Sequence, residues 1–382
     1  MLLDRLYRII SSVRLAIVCL AMGFVLVFWG TLAQVTMGLY KAQNDFFRSF
    51  FIYWEPSWAD IRIPIFPGGY LVGGVLLINL IAAHTRYYKP GKKKIGIMLI
   101  HAGIVLLLVG QFLTDVLSSE STLHLRIGET KNYSEAGRSF ELAVVDITDG
   151  EMSKVVAIPE HALATKKEIK HPGLPFVLRP KAFYLNSDLT TKQESGFERV
   201  PATQGVGTGV WWRERPRETV MDRRDMPSGV LELTSPQGAL GTWLVSGHLM
   251  NTQEFTHDGR KYQIGLRLTR FYKPFSIHLI EFNHDRYPGT EIPKNFSSRV
   301  RIMRPDTGED REVLIYMNNP LRYWGETYYQ ASFDTDDQGS VLQVVRNPSW
   351  LTPYFSCVLV SIGLFWQFMA HLIPFLKRRI AT

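Results

Sequence analysis

The sequence runs to 382 residues, 46% of them hydrophobic, with 43 Lys plus Arg against 35 Asp plus Glu and 2 Cys. Four near-uncharged apolar runs, 15–40, 63–83, 95–114 and 350–376, reach the ~20 residues a helix needs to cross a bilayer, which excludes a wholly soluble protein. The net charge of +8 gathers at the edges of these runs: Arg5, Arg8 and Arg14 before the first, Arg86, Lys89, Lys92, Lys93 and Lys94 between the second and third, and Lys377, Arg378 and Arg379 after the last, against Asp4 alone.

By the positive-inside rule those three segments are cytoplasmic. The other 32 basic and 34 acidic residues nearly balance, so the soluble bulk lacks the basic surface a nucleic-acid-binding domain needs, and no nucleic-acid partner is expected. The first run carries Gly23 and Gly30 and is longer than a signal-peptide core, so it reads as a retained span rather than a cleaved leader. The outer loop 34–67 is rich in aromatics (Tyr40, Phe46, Phe47, Phe50, Phe51, Tyr53, Trp54, Trp58), which predicts an interfacial helix lying on the membrane.

The second span follows Pro64, Pro67 and Gly68, and Gly69 and Gly73 stand at small-xxx-small spacing, which predicts close helix contact. A basic cytoplasmic hairpin, 84–94, returns the chain. In the third span Gly96, Gly103 and Gly110 recur every seven residues and form a stripe on which a neighbouring helix can sit. His101, two residues from Gly103, lies about 200° round the helix at about 100° per residue and so faces away from that stripe.

From 118 to 349 the sequence turns to short β-type runs, 121–127, 140–147, 230–234, 262–271, 276–282, 313–317 and 327–333, punctuated by turn residues. The polar segment 186–224, with Gly205, Gly207 and Gly209, reads as a long loop or insertion in which Trp211 and Trp212 look exposed. The predicted fold is a membrane protein of four transmembrane helices with a large extracytoplasmic all-β domain, an antiparallel sandwich or barrel-like, between the third and fourth. The domains are a three-helix region 1–117, the β domain 118–349, and a fourth span with basic cytoplasmic tail, 350–382.

His101 is the sharpest chemical feature, because an ionisable residue inside a span is costly and marks a functional site by default. It sits about 9 Å below the cytoplasmic edge at ~1.5 Å per residue, where a neutral imidazole either ligates haem iron or bonds to a neighbouring helix. Two axial ligands approach iron from opposite faces of the porphyrin, so a second must come from elsewhere. His84, at the end of the second span, and His371, in the fourth, are the candidates within the chain, although His84 also reads as an interfacial residue. His124, His161, His171, His248, His257, His278 and His284 form no zinc signature. His278 and His284, an even number apart, can share one strand face, which reads as solvated surface rather than a ligand pair. There is no G-x-S-x-G, phosphate loop, H-E-x-x-H or C-x-x-C, and therefore no visible hydrolase, nucleotide or thiol-redox chemistry and no covalent haem attachment site. Cys19 and Cys357 lie inside spans near opposite faces of the membrane and are not expected to pair.

The order of three spans, a β domain and a fourth span with a basic tail resembles the ResB (CcsB) family of cytochrome c biogenesis proteins. The motifs that carry the resemblance are Leu99-Ile100-His101-Ala102-Gly103 through Leu108-Val109-Gly110, the segment from Met317 through Asn319-Pro320 and Tyr323-Trp324-Gly325 to Tyr328-Tyr329-Gln330-Ala331-Ser332-Phe333, and Leu342-Gln343-Val344-Val345 with Asn347-Pro348 before the last span. The resemblance implies a subunit of the system II cytochrome c synthase in a bacterial cytoplasmic membrane, with a CcsA-type (ResC) partner. It further implies His101 as axial ligand of a transported, non-covalent haem b, the opposing ligand coming from the partner. By the same resemblance, haem is expected to pass outward for attachment to apocytochrome c, and the β domain is expected to hold the partner and the apocytochrome. Trp211-Trp212 lacks the partner's W-x-W-D run, so the attachment site is expected on the other chain. No residue here offers an acid or base for that step; the expected role is that of an accessory subunit of a haem lyase, contributing positioning. Two alternatives stand beside this: a b-type haem or quinone-linked electron-transfer subunit using His84, His101 and His371, and a cofactor-free membrane scaffold.

Overall fold

The computed structural model describes residues 2–380 apart from 57, 59, 60, 88–90, 92, 93, 151, 152, 222, 250, 291 and 292, so the tip of the expected 84–94 hairpin, with Lys89, Lys92 and Lys93, lies outside the described residues. The chain divides into a helical unit, made of the residues up to Ser119, Thr219–Met221 and those from Asn347 onward, and a β unit that takes the rest.

The helical unit opens with α1 (Leu2–Ile10), a short helix ahead of the first span. It ends at Ser11 and Ser12: Ser12 is extended and its hydroxyl accepts from the Leu15 amide, capping α2 (Val13–Met37). After Gly38 (φ 82°) come a single turn, α3 (Leu39–Ala42), and a π-helical turn, Gln43–Phe47. The predicted interfacial helix stops there. From Phe51 the chain forms an antiparallel hairpin, β1 (Phe51–Trp54) with β2 (Ile63–Pro67). The reason is local: Phe-Ile-Tyr-Trp and the Ile-x-Ile-Phe run favour the extended state, and Pro64 and Pro67 remove the amides a helix needs. The second span, α4 (Gly69–Tyr87), begins directly after these breakers, as expected, although the apolar run itself opens at Ile63. Phe46 and Ile52 bury against Leu26, and a Cβ on Gly30 would lie 2.7 Å from the Phe47 ring, so Gly30 serves aromatic packing rather than a helix crossing. The close contact expected at Gly73 is absent, since a Cβ there would meet no atom within 4 Å.

The third span, α5 (Ile95–Leu117), lies against the last, α7 (Thr352–Ile380). Its glycine stripe is the contact. Gly96, Gly103 and Gly110 are buried, and a Cβ on Gly96 would stand 2.7 Å from the Gly363 carbonyl oxygen, one on Gly103 2.6 Å from Val360. With α2 and α4 these make four helices, among the described residues, long and apolar enough to cross a membrane.

The β unit contains β3 (Ser119–Arg126), β4 (Thr130–Asp146), β5 (Lys154–Pro159), the short helix α6 (Glu160–Ala164), β6 (Val177–Tyr184), β7 (Ser187–Thr190), β8 (Glu198–Arg199), β9 (Trp211–Glu214), β10 (Ser228–Ser235), β11 (Gly238–Ser246), β12 (Gln253–His257), β13 (Arg260–Arg286), β14 (Pro293–Arg304), β15 (Glu309–Tyr316), β16 (Leu321–Tyr323), β17 (Glu326–Phe333) and β18 (Gly339–Arg346). The main sheet runs β15-β14-β13-β4-β3-β18-β17-β16, with β12 on β13 and β5 on β4, and β15 returns beside β16 and β17, so the antiparallel sheet is barrel-like and nearly closed.

β13 joins two cores. Its first half pairs with β4 from Tyr262↔Asp146 to Leu268↔Phe140 and buries Tyr262, Ile264 and Leu266 against Leu231, Leu233 and Val245. Its second half buries Phe275, Ile277 and Leu279 against Val300, Ile302, Leu342 and Val344. Between them the register jumps from Tyr272↔Tyr133 to Ile277↔Lys131, around Pro274, which has no amide to donate to the ladder.

The segment 186–224, expected as a loop, holds a small sheet of order β7-β9-β8. Trp212 is not exposed: it is 3% accessible and packs with Val200, Val210, Val230 and Leu244, its ring 4.6 Å from that of Tyr184. His278 and His284 do not share a face either. A bulge between Leu279 and Glu281 reverses the alternation, leaving His278 bonded to the Thr130 hydroxyl while the His284 side chain is only 3% accessible.

Candidate functional site

The third span's two faces are used differently. Gly96, Gly103 and Gly110 occupy the side against α7, which turns His101 toward α4. There His84, three residues before the end of α4, meets it. The imidazole centroids are 5.4 Å apart with planes at 89°, the edge of one ring against the face of the other, and both residues are half-buried. An edge-on approach satisfies the ring quadrupoles. His371 is elsewhere: its Nε2 is 2.8 Å from the Gln367 amide nitrogen, one turn back on α7.

The donor set suits haem iron, which takes neutral imidazole. The spacing limits how. Axial ligands of one iron stand on opposite faces of a porphyrin, and two rings already in van der Waals contact leave no gap for a macrocycle between them. As arranged, the two rings cannot be the opposed ligands of one iron.

A polar lattice that sequence reasoning missed surrounds the His84 turn. The Asn79 amide, buried in the span, donates to the Ile10 and Ser12 carbonyls (2.5 and 2.9 Å). The Tyr7 hydroxyl lies 2.8 Å from the Thr85 hydroxyl and donates to the Ala82 carbonyl, and the Arg86 guanidinium donates to the Ser11 hydroxyl at 2.8 Å. The signal was Asn79 itself, a polar amide within an apolar run. At the far end of the same helix pair, Asp115 takes the Arg48 guanidinium (2.9 Å) and the Tyr70 hydroxyl.

In the β unit, His284 Nδ1 is 2.9 Å from Asp337, which also takes Arg286, and its ring lies 4.1 Å from that of Phe333; His124 pairs with Asp334. Among the described residues no group of three or more His, Cys, Asp or Glu gathers as a metal site.

Residues 238–341, which run from β11 into the start of β18, match the model of the ResB-like family. The chain is also similar to Protein NrfI of Wolinella succinogenes, with 24% identity over 300 residues. That alignment takes in 78% of this chain and 29% of the relative, so the chain spans well under half the length of the protein it matches. The family match thus falls on the strands of the β unit, and the relative aligns over most of the chain, so the chain is similar to the ResB-like family over its β unit.

Proposed function

We propose that the chain is a membrane subunit of cytochrome c assembly, which with a CcsA-type partner carries haem b from the cytoplasm to the outer face for attachment to apocytochrome c. The ResB-like match over 238–341 supports the process, and the paired imidazoles of His84 and His101 support the haem reading. Both lie near the basic end of the spans, the cytoplasmic side by the positive-inside rule. Haem is cargo here. His101 supplies one axial ligand, His84 fixes the plane of its ring by edge contact, and the opposing ligand comes from the partner. A neutral pair suits an apolar setting, because two imidazolium ions at this distance would repel each other. The β unit holds the partner and the apocytochrome, by strand addition at a sheet edge.

The test is the visible spectrum and haem content of the chain co-purified with a CcsA-type partner. His101→Ala should remove a low-spin haem signal that added imidazole restores, while His84→Ala should keep haem but alter the line shape. Unchanged haem in His101→Ala refutes the assignment. A second reading, a b-type haem subunit, would rest on His101 with an opposing ligand other than His84, whose ring already touches it. Purification without the partner decides between them: a b-type cytochrome retains its haem, and a shared site loses it.

A further inference from the structure

Helix α1 has no role in the reading above, yet it is tied firmly to the turn that bears His84. Its C-terminal carbonyls, which a helix end leaves unpaired, are taken by α4: Asn79 donates to Ile10 and Arg86 to Arg8 (3.4 Å). Tyr7 bonds at Ala82 and Thr85, and Ser11, fully buried, receives Arg86. These anchor points on α4 lie up to eight residues, about 12 Å at ~1.5 Å per residue, inside its Tyr87 end. The first span begins only three residues after α1 ends, at Val13. A helix so tied is held against the basic end of α4, the membrane edge by the positive-inside rule.

Its surface fits that place. At about 100° per residue, Leu2, Leu3, Leu6 and Ile9 fall on one arc of roughly 120°, and they are 84%, 81%, 51% and 62% exposed. Arg5 and Arg8 lie on the flank and opposite face, and the surrounding span ends add Arg14, Arg86 and Lys94. An exposed leucine-rich arc bordered by arginine is the pattern of a helix lying in an anionic interface, where each basic residue near the surface contributes about 1 kcal/mol.

We infer that α1 is a lipid-binding helix: Leu2, Leu3, Leu6 and Ile9 enter the acyl boundary of the basic-side leaflet, and Arg5 and Arg8 engage phosphates of anionic lipids.

Nitroxide scanning of the full chain in nanodiscs tests this, on a Cys19→Ala, Cys357→Ala background with single cysteines at 3, 4, 6, 8 and 9. Labels at 3, 6 and 9 should collide several-fold more with oxygen than with a water-soluble nickel chelate, and labels at 4 and 8 the reverse. Nickel-dominated collisions at every position, or shielding of 3, 6 and 9 from both reagents by protein, would overturn it. For the headgroup, native mass spectrometry after extraction from phosphatidylcholine–phosphatidylglycerol bilayers should find retained phosphatidylglycerol that the Arg5→Gln, Arg8→Gln variant loses at least several-fold. Equal retention refutes the anionic-lipid contact.

Discussion

Replacing single glycines by alanine should separate the stripe that joins α5 to α7 from glycines that only happen to lie in spans. A Cβ on Gly363 would stand 2.7 Å from the Gly96 carbonyl oxygen and 2.9 Å from the Ile100 amide nitrogen. Contact at 3.4 Å is the tight limit for ordinary packing, so the helices must concede about 0.7 Å, and backbone cannot rotate aside as a side chain can. At such a gap each displaced atom pair forfeits a quarter to a half of its ~0.1–0.2 kcal/mol, and overpacking as a whole costs about 1–3 kcal/mol. Alanine returns about 1 kcal/mol of helix propensity at any of these positions. Gly363→Ala and Gly96→Ala should therefore be neutral to about 2 kcal/mol destabilising, while Gly73→Ala, with open space around it, should gain up to about 1 kcal/mol. Because Gly96 and Gly363 face each other, one displacement relieves both clashes, and the double variant should lose less than the sum. The assay is the apparent Tm of the detergent-solubilised chain, read as the monodisperse fraction surviving heating. Equal melting of Gly363→Ala and Gly73→Ala would refute the reasoning.

In the β unit, Lys273 and Glu326 form an ion pair whose side chains are 8% and 7% accessible, with the Tyr328 hydroxyl donating to the same carboxylate at 2.7 Å. Glu326→Ala strands the ammonium and should cost about 3–5 kcal/mol, whereas Lys273→Met with Glu326→Leu should recover most of it; hydrogen exchange of β13 and β17 in the full chain measures both. Burial, with the Glu326 charge beside it, raises the Tyr328 pKa well above its ordinary value. That contribution is whole below about pH 10, where the unfolded phenol begins to ionise, and is lost as pH climbs toward the folded value, so Tyr328→Phe should flatten the alkaline limb of a stability–pH profile. Trp212→Ala should cost about 3–5 kcal/mol and open β7, β8 and β9 to limited proteolysis; an unchanged digestion pattern would count against the buried site.

Apolar length and basic flanks revealed the spans because both follow directly from the cost of placing charge in lipid. The seven-residue recurrence of Gly96, Gly103 and Gly110 revealed a packing face for the same kind of reason: it is a local repeat that the helix converts into a surface. The structure differs where a single residue changes the geometry. One bulge after Leu279 moved His284 from the expected face into the interior, and no periodicity announces a bulge. Trp212 looked exposed because its neighbours are polar, and its burial depends on Val230 and Leu244, brought together by pairing rather than by proximity in sequence. The approach of His84 to His101 turns on how the helix hairpin closes, which neither span's own pattern encodes. Helix α1 went unnoticed because nine residues give too short a window for its amphipathic period to stand out from the span that follows.

Both units are closed by the last part of the chain. β3 lies between β4 and β18, so the core around Leu123 and Leu125 stays open until residues 339–346 arrive. In the helical unit the glycine face of α5 waits for α7. During synthesis, then, more than 200 residues separate each surface from its mate, and the entropy of closing such loops is met only at the end. A ribosome that stalls before Gly339 leaves an unpaired strand edge on one side of the translocation machinery and an unfilled glycine groove in the lipid. The nascent chain is then an open template at both places at once.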